Sequence, residues 1–343
     1  MLGAIVAVVA LTVAGPAATD EQLAGARVVT GFSGHHPPKA LRRMIRDGQV
    51  SGVILFDQNA GSRRSVRRLT RELQAIPRPA AVDQPLLIMV DQEGGLVRRL
   101  PGPPKASATA IGARGAGFAE RMGSATGKSL KAMGINVDLA PVLDLGRPGS
   151  AIREEGRTFG RTPDSVSERA VGFARGLAAG GVAATAKHFP GLGGARLNTD
   201  DAVQKVRLPA ATLRGADEEP FGDFAKAGGQ LVMLSTAIYP AISHKPAAFS
   251  RAIATGELRD RLGFQGVAIT DALGTVSARA IGGPVKTVRA AASAGADLVL
   301  YTDLRSAARA QQALAAGLRD GSLDRSEFEQ SVARVLALRS SLL

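Results

Sequence analysis

Charged residues in this chain cluster at the ends of apolar runs, where a strand would hand them to a loop. Val90 leads into Asp91-Gln-Glu-Gly-Gly-Leu-Val-Arg98-Arg99, and Asp144 closes Ala140-Pro-Val-Leu143. Lys187-His188 closes Ala184-Thr-Ala186, Asp271 closes Val267–Thr270, and Arg157 stands in an intervening loop. A carboxylate accepts pairs of hydroxyl hydrogens, whereas Arg and Lys donate to hydroxyl, carbonyl and carboxylate oxygens. The set suits a small, hydroxyl-rich ligand. Any one of these residues alone reads more simply as half of a surface ion pair. Asp91, Asp144, Lys187, His188 and Asp271 together, on the ends of successive strands, read as a site.

Such a site needs strands that end on one face. Strand-like runs are expected at 27–32, 52–56, 86–90, 135–140, 182–186, 231–235, 266–270 and 297–301. Helix-like runs fall between them, at 40–46, 63–75, 118–133, 166–179, 208–227, 249–262 and 285–294, and two more, 304–319 and 324–342, close the chain. The alternation predicts an α/β fold, a (β/α)8 TIM-like barrel in a single domain, with every strand C-terminus on one face. An open doubly wound sheet would require an early phosphate-binding glycine turn. The early Gly94-Gly95 follows Asp-Gln-Glu, which would repel phosphate.

The 343 residues, 45% hydrophobic and 21% charged, match an ordinary globular protein. The absence of Cys excludes disulfides, thiol catalysis and Cys-ligated zinc. Aromatic residues make up only 4%, with no Trp, which argues against a stacking platform for single-stranded nucleic acid. The lack of Trp also removes a common floor for sugar rings, so any sugar would have to be held by polar groups. The net charge of +13 would draw polyanions such as acidic cell-wall polymers. The Lys and Arg residues are scattered, however, and no nucleic-acid-binding signature accompanies them, so no nucleic-acid partner is expected.

Met1–Ala18 is almost wholly small and apolar and is followed by Asp20-Glu21. It reads as the hydrophobic part of a signal peptide, with a small-residue cleavage zone near Ala14–Ala18. A leader over 1–25 and a barrel domain over 26–343 are therefore expected. Export or attachment to the cell envelope follows, with a cytoplasmic location as the alternative.

These residues also carry a resemblance. Gly52-Val-Ile-Leu-Phe56, Val90-Asp-Gln-Glu-Gly-Gly95, Ala140-Pro-Val-Leu-Asp144, Gly156-Arg-Thr-Phe159, Lys187-His-Phe-Pro-Gly191, Lys245-Pro-Ala-Ala-Phe-Ser250 and Leu262-Gly-Phe-Gln-Gly-Val267 with Thr270-Asp271 run in one order along the chain. In these stretches it resembles glycoside hydrolase family 3, within it the single-domain β-N-acetylhexosaminidases. The resemblance implies a retaining glycosidase acting on a carbohydrate, with a β-linked N-acetylhexosamine, as in cell-wall glycans, as the sugar released. It implies Asp271 as nucleophile, with Asp91, Arg99, Arg157, Lys187 and His188 holding the terminal sugar. It implies no metal and no organic cofactor, and a monomer is expected.

One departure bears on mechanism. In that subgroup the loop after Lys-His-Phe-Pro-Gly carries Asp-Ser-His or Asp-Thr-His, and its His is the acid/base. Here the loop reads Asn198-Thr199-Asp200-Asp201, without a His, and Leu192 stands where the family often has another. Three readings remain open. Asp200 or Asp201 is the acid, with a pKa raised by the site. His244, His35 or His36 takes the role. Or the protein binds sugar and hydrolyses little.

Overall fold

The computed structural model describes residues 17–342. Most of the expected leader lies outside them.

Eight short aliphatic runs form one parallel sheet: β1 Val28–Gly31, β2 Gly52–Leu55, β3 Leu87–Val90, β4 Val137–Asp138, β5 Ala183–Phe189, β6 Leu231–Leu234, β7 Val267–Thr270 and β8 Val299–Tyr301. Each is buried along its length, as parallel strands covered on both faces must be. Neighbours pair in chain order from β1 to β7, and β8 pairs with β1. A parallel bridge between Ile269 and Leu298 joins β7 to β8 and closes the ring. The fold is a (β/α)8 barrel.

Two apolar layers follow from the two-residue period of the strands. Val29, Ile54, Met89, Val137, Ala183, Met233, Ile269 and Leu300 fill the barrel interior. The alternate residues, among them Val28, Val53, Ile88 and Ala184, pack outward against the helices. The helices of six or more residues are α1 Asp20–Gly25, α2 Lys39–Arg46, α3 Arg63–Gln74, α4 Ala116–Lys131, α5 Gly172–Ala179, α6 Glu219–Lys226, α7 Ala252–Arg261, α8 Pro284–Ala294, α9 Leu304–Arg319 and α10 Arg325–Ser341.

The last of these closes the bottom of the barrel. Val335 and Leu338 of α10 join the interior cluster, and buried Arg339 donates to the carbonyls of Pro85, Val82 and Gln84. The helix thus covers the end of the barrel opposite the strand C-termini.

Two features go beyond the expected elements. α1 belongs to the folded domain: Thr19 caps it in a capping box with Gln22, and Ala24 and Gly25 are buried. Residues 20–25 thus form a helix that packs with the barrel. β5 runs on through Lys187 and His188 to Phe189 instead of ending at 186. Charged residues can extend a buried strand here because each finds a buried counter-charge.

Candidate active site

The alternation that fills the barrel also aims the polar residues. Met89, Ala183 and Ile269 point inward. Residues two or four places further on share their face, which brings Asp91, Lys187 and Asp271 to the barrel mouth. All three line one cavity of about 350 Å³, with Arg99, Arg157, His188 and Asp200 around it.

A ladder of alternating charge forms one wall. Lys187 Nζ lies 2.6 Å from Asp91 Oδ1 and 2.6 Å from Glu93 Oε1. Glu93 accepts from Arg157 Nε and Nη2, both at 2.9 Å, and Arg157 Nη1 reaches Glu155 at 3.1 Å. Burial alone would push the Glu93 carboxyl up. The adjacent Arg157 and Lys187 charges overcome it and hold that pKa at about 2. Burial likewise opposes charge on Lys187, but Asp91 and Glu93 keep the ammonium protonated by raising its pKa. The wall is a fixed array of ions with Asp91 and Arg157 at the cavity.

His188 is set by a different partner. Its Nδ1 lies 2.7 Å from Asp144 Oδ2, and its backbone N–H donates to Asp144 Oδ1 at 3.2 Å. The Leu192 N–H reaches the same Oδ1 at 2.6 Å. A carboxylate only accepts, so Nδ1 carries the proton and Nε2 is left for the cavity. Asp144 therefore orients His188 from behind and does not line the cavity itself.

Asp271 follows β7 directly. Its backbone N–H donates to the Leu234 carbonyl at 2.9 Å, and Oδ1 accepts the Ala272 N–H at 2.7 Å. The carboxylate is held by the backbone. The loop after β5 brings Asp200 beside it. Val276 N–H donates to the Asp200 carbonyl at 3.3 Å, and Ser277 N–H to the Thr199 carbonyl at 3.4 Å. Ser277 Oγ donates to the Ala202 carbonyl at 2.9 Å. Asn198 Oδ1 accepts the Asp200 N–H at 3.0 Å and shapes the turn. Asp200 is itself exposed, at the rim of the cavity. Even so, partial burial first, and the Asp271 charge second, raise its pKa.

The other candidates for the acid lie elsewhere. Asp201, exposed like Asp200, does not line the cavity. His244 sits on the exposed hairpin Ser243–Pro246, paired with Ile238–Tyr239. His35 is exposed, and His36 contacts Glu72 at 3.1 Å on the outer surface. Arg99 lines the cavity and pairs with Asp57 at 3.2 Å across the loop after β2.

Sequence reasoning missed two buried carboxyls, one in the cavity wall and one behind it. Glu93, central to the ion ladder, looks like a turn residue in Asp-Gln-Glu-Gly-Gly. Its signal was its position two beyond Asp91 on the same alternation. Asp138 is fully buried at the end of β4, and its Oδ1 accepts the Gln92 N–H at 3.0 Å. Its Oδ2 has no partner, and burial pushes its pKa up to about 8. Among the described residues, no group of three or more His, Asp or Glu is placed to hold a metal ion.

The family model described as "Glycosyl hydrolase family 3 N terminal domain" matches residues 18–338. An uncharacterized secreted glycosyl hydrolase of Arthroderma benhamiae is 38% identical over 93% of this chain and 93% of its own length. A beta-hexosaminidase of Stenotrophomonas maltophilia is 34% identical over 80% of this chain and 82% of its own. Among solved structures, a family 3 β-N-acetylglucosaminidase from Paenibacillus sp. superposes with a TM-score of 0.89 at 34% identity. The alignment covers 95% of this chain and 63% of that longer one.

Proposed function

The chain belongs to glycosyl hydrolase family 3 and is a glycoside hydrolase, and on that premise we propose that it releases a terminal β-linked N-acetylhexosamine by two displacements at Asp271. The N-acetylhexosamine rests on the names of the relatives, a beta-hexosaminidase and a β-N-acetylglucosaminidase. A glycan of the cell-wall type is the proposed source, and the secreted Arthroderma relative supports export of this protein too.

Asp91, Arg157, Lys187 and His188 hold the sugar hydroxyls through their remaining hydrogen-bonding positions. Asp271 attacks the anomeric carbon while Asp200 gives its proton to the departing glycosidic oxygen, leaving a glycosyl ester on Asp271. Asp200, now a carboxylate, takes a proton from water. That water breaks the ester and returns Asp271 as a carboxylate.

The observation that carries this reading is that Asp200 lines the same cavity as Asp271 and feels its charge. Before attack, partial burial and that like charge favour the protonated acid. Forming the ester removes the Asp271 charge, so the Asp200 pKa falls when a base is needed. The alternative, a sugar-binding protein without an acid, is not favoured. An activated 2-fluoro glycoside that accumulates the ester tests the assignment. The label is expected on Asp271, and a label on any other carboxylate would sink it.

A further inference from the structure

The outer face of α3 carries charge that nothing in the proposed chemistry uses. This helix buries Val66, Leu69, Thr70 and Leu73 against the barrel. Its other side exposes Arg63, Arg64, Arg67 and Arg71, which line an open groove of about 470 Å³ with Ala132. Among the described residues none of the four has a carboxylate within ion-pair distance. The nearby Glu72 is taken by Arg42 at 3.0 Å and His36 at 3.1 Å.

A basic protein with scattered arginines could show this by chance. Among the described residues other exposed arginines, such as Arg46, Arg196 and Arg305, also lack a carboxylate partner; what sets α3 apart is that four of them line one groove. Like charges four apart on a helix repel. The α3 row keeps that repulsion uncompensated.

The row also leads toward the active site. Arg63 Nη1 donates to Ser129 Oγ at 2.7 Å, beside Gly102. A Cβ placed on Gly102 would come within 3.2 Å of Arg63 Nη1. Arg98 Nη1 donates to the Gly102 carbonyl at 3.4 Å, and its neighbour Arg99 lines the catalytic cavity. Gly102 thus joins the α3 arginines to the mouth of the site.

We propose that the arginine row of α3 is a second docking surface, which holds the carboxylates of an acidic glycan while the end of that chain occupies the cavity. Guanidinium forks match carboxylates two oxygens at a time. The groove offers no aromatic platform for bases. The apolar face of α3 is buried and cannot insert into lipid. The guiding role rests on the glycosidase reading; the binding itself does not.

Hyaluronate oligosaccharides test this, because they alternate a carboxylate sugar with a β-linked N-acetylhexosamine. Binding isotherms at several salt concentrations would compare the native protein with the triple variant Arg64→Gln, Arg67→Gln, Arg71→Gln. The variant is expected to lose about tenfold in affinity and to show a shallower salt dependence. Its affinity for neutral chitin oligosaccharides and its kcat/KM on a small aryl glycoside should be unchanged. Equal hyaluronate affinity in the two proteins would overturn the proposal. So would a native protein that ignores hyaluronate and binds vesicles of anionic phospholipid. A native protein that binds hyaluronate through α3 yet cleaves no glycoside would support the docking surface and refute the glycosidase reading.

Discussion

The backbone N–H of Val276 donates to the carbonyl of Asp200 at 3.3 Å, so the loop after β5 is fastened to the loop after β7 at the residue proposed as the acid. Asp200 is thereby positioned against Asp271 by main-chain contacts, without needing a partner for its own carboxyl. A carboxyl proposed to give up and regain a proton is well served by such a placement.

Glu93→Ala should be among the most destabilising single changes in the barrel. It leaves Lys187 and Arg157 buried beside a missing counter-charge, a loss of about 3–5 kcal/mol. Glu93→Gln retains shape and one acceptor and should cost less. The depressed pKa also fixes a sign. Its stabilisation is complete above the ordinary value of 4.5 and is lost as pH falls through about 2. Urea unfolding from pH 5 down to pH 2 should show native stability falling and the Gln variant falling less. Parallel curves would contradict the ladder.

Asp138 works in the opposite direction. Its folded pKa of about 8 exceeds the ordinary 3.8, so the folded protein holds a proton that the unfolded chain releases. Stability from this group is present below 3.8 and is lost as pH rises to about 8. Asp138→Asn preserves an acceptor for the Gln92 N–H and removes the titration. Its unfolding free energy should therefore change less between pH 4 and pH 8 than that of the native protein. An identical pH dependence would show that Asp138 does not titrate in this range.

Asp144→Ala strips the acceptor from His188 Nδ1 and from two backbone N–H groups, His188 and Leu192. A buried donor without a partner costs about 1–3 kcal/mol, so a loss of about 3 kcal/mol is expected. Asp144→Asn should be milder in stability. Both should lower kcat/KM, because the His188 ring loses the carboxylate that orients it. Crystallographic density for His188 in the Asn variant would separate a turned ring from an unmoved one. An unmoved ring with full activity would remove Asp144 from the site.

Much of this was legible in the chain. Aliphatic runs at regular spacing gave the barrel, and strand-end positions picked out Asp91, Lys187, His188 and Asp271 as neighbours. Other features depended on contacts between distant segments. The sequence cannot tell which of Asp200 and Asp201 lines the cavity, because contacts with the distant Val276 and Ser277 place the loop. Glu93 shares the alternation of Asp91, but that a charge there can be buried becomes visible only with Lys187 and Arg157 around it. Thr19 and Gln22 were a capping signal for α1, hidden by the alanine-rich run before them.

The most direct test of the account is the leaving-group dependence of Asp200→Asn. Asp200 is held to protonate a poor leaving group, so turnover of a natural β-linked N-acetylhexosamine disaccharide should fall about 10²–10⁴-fold. A dinitrophenyl glycoside, which departs without a proton, should still form the ester, and azide should speed its breakdown to a β-glycosyl azide. Asp201→Asn should behave like the native protein. If Asp200→Asn cleaves the natural disaccharide at the native rate, or slows both substrates equally without rescue by azide, Asp200 is not the acid/base.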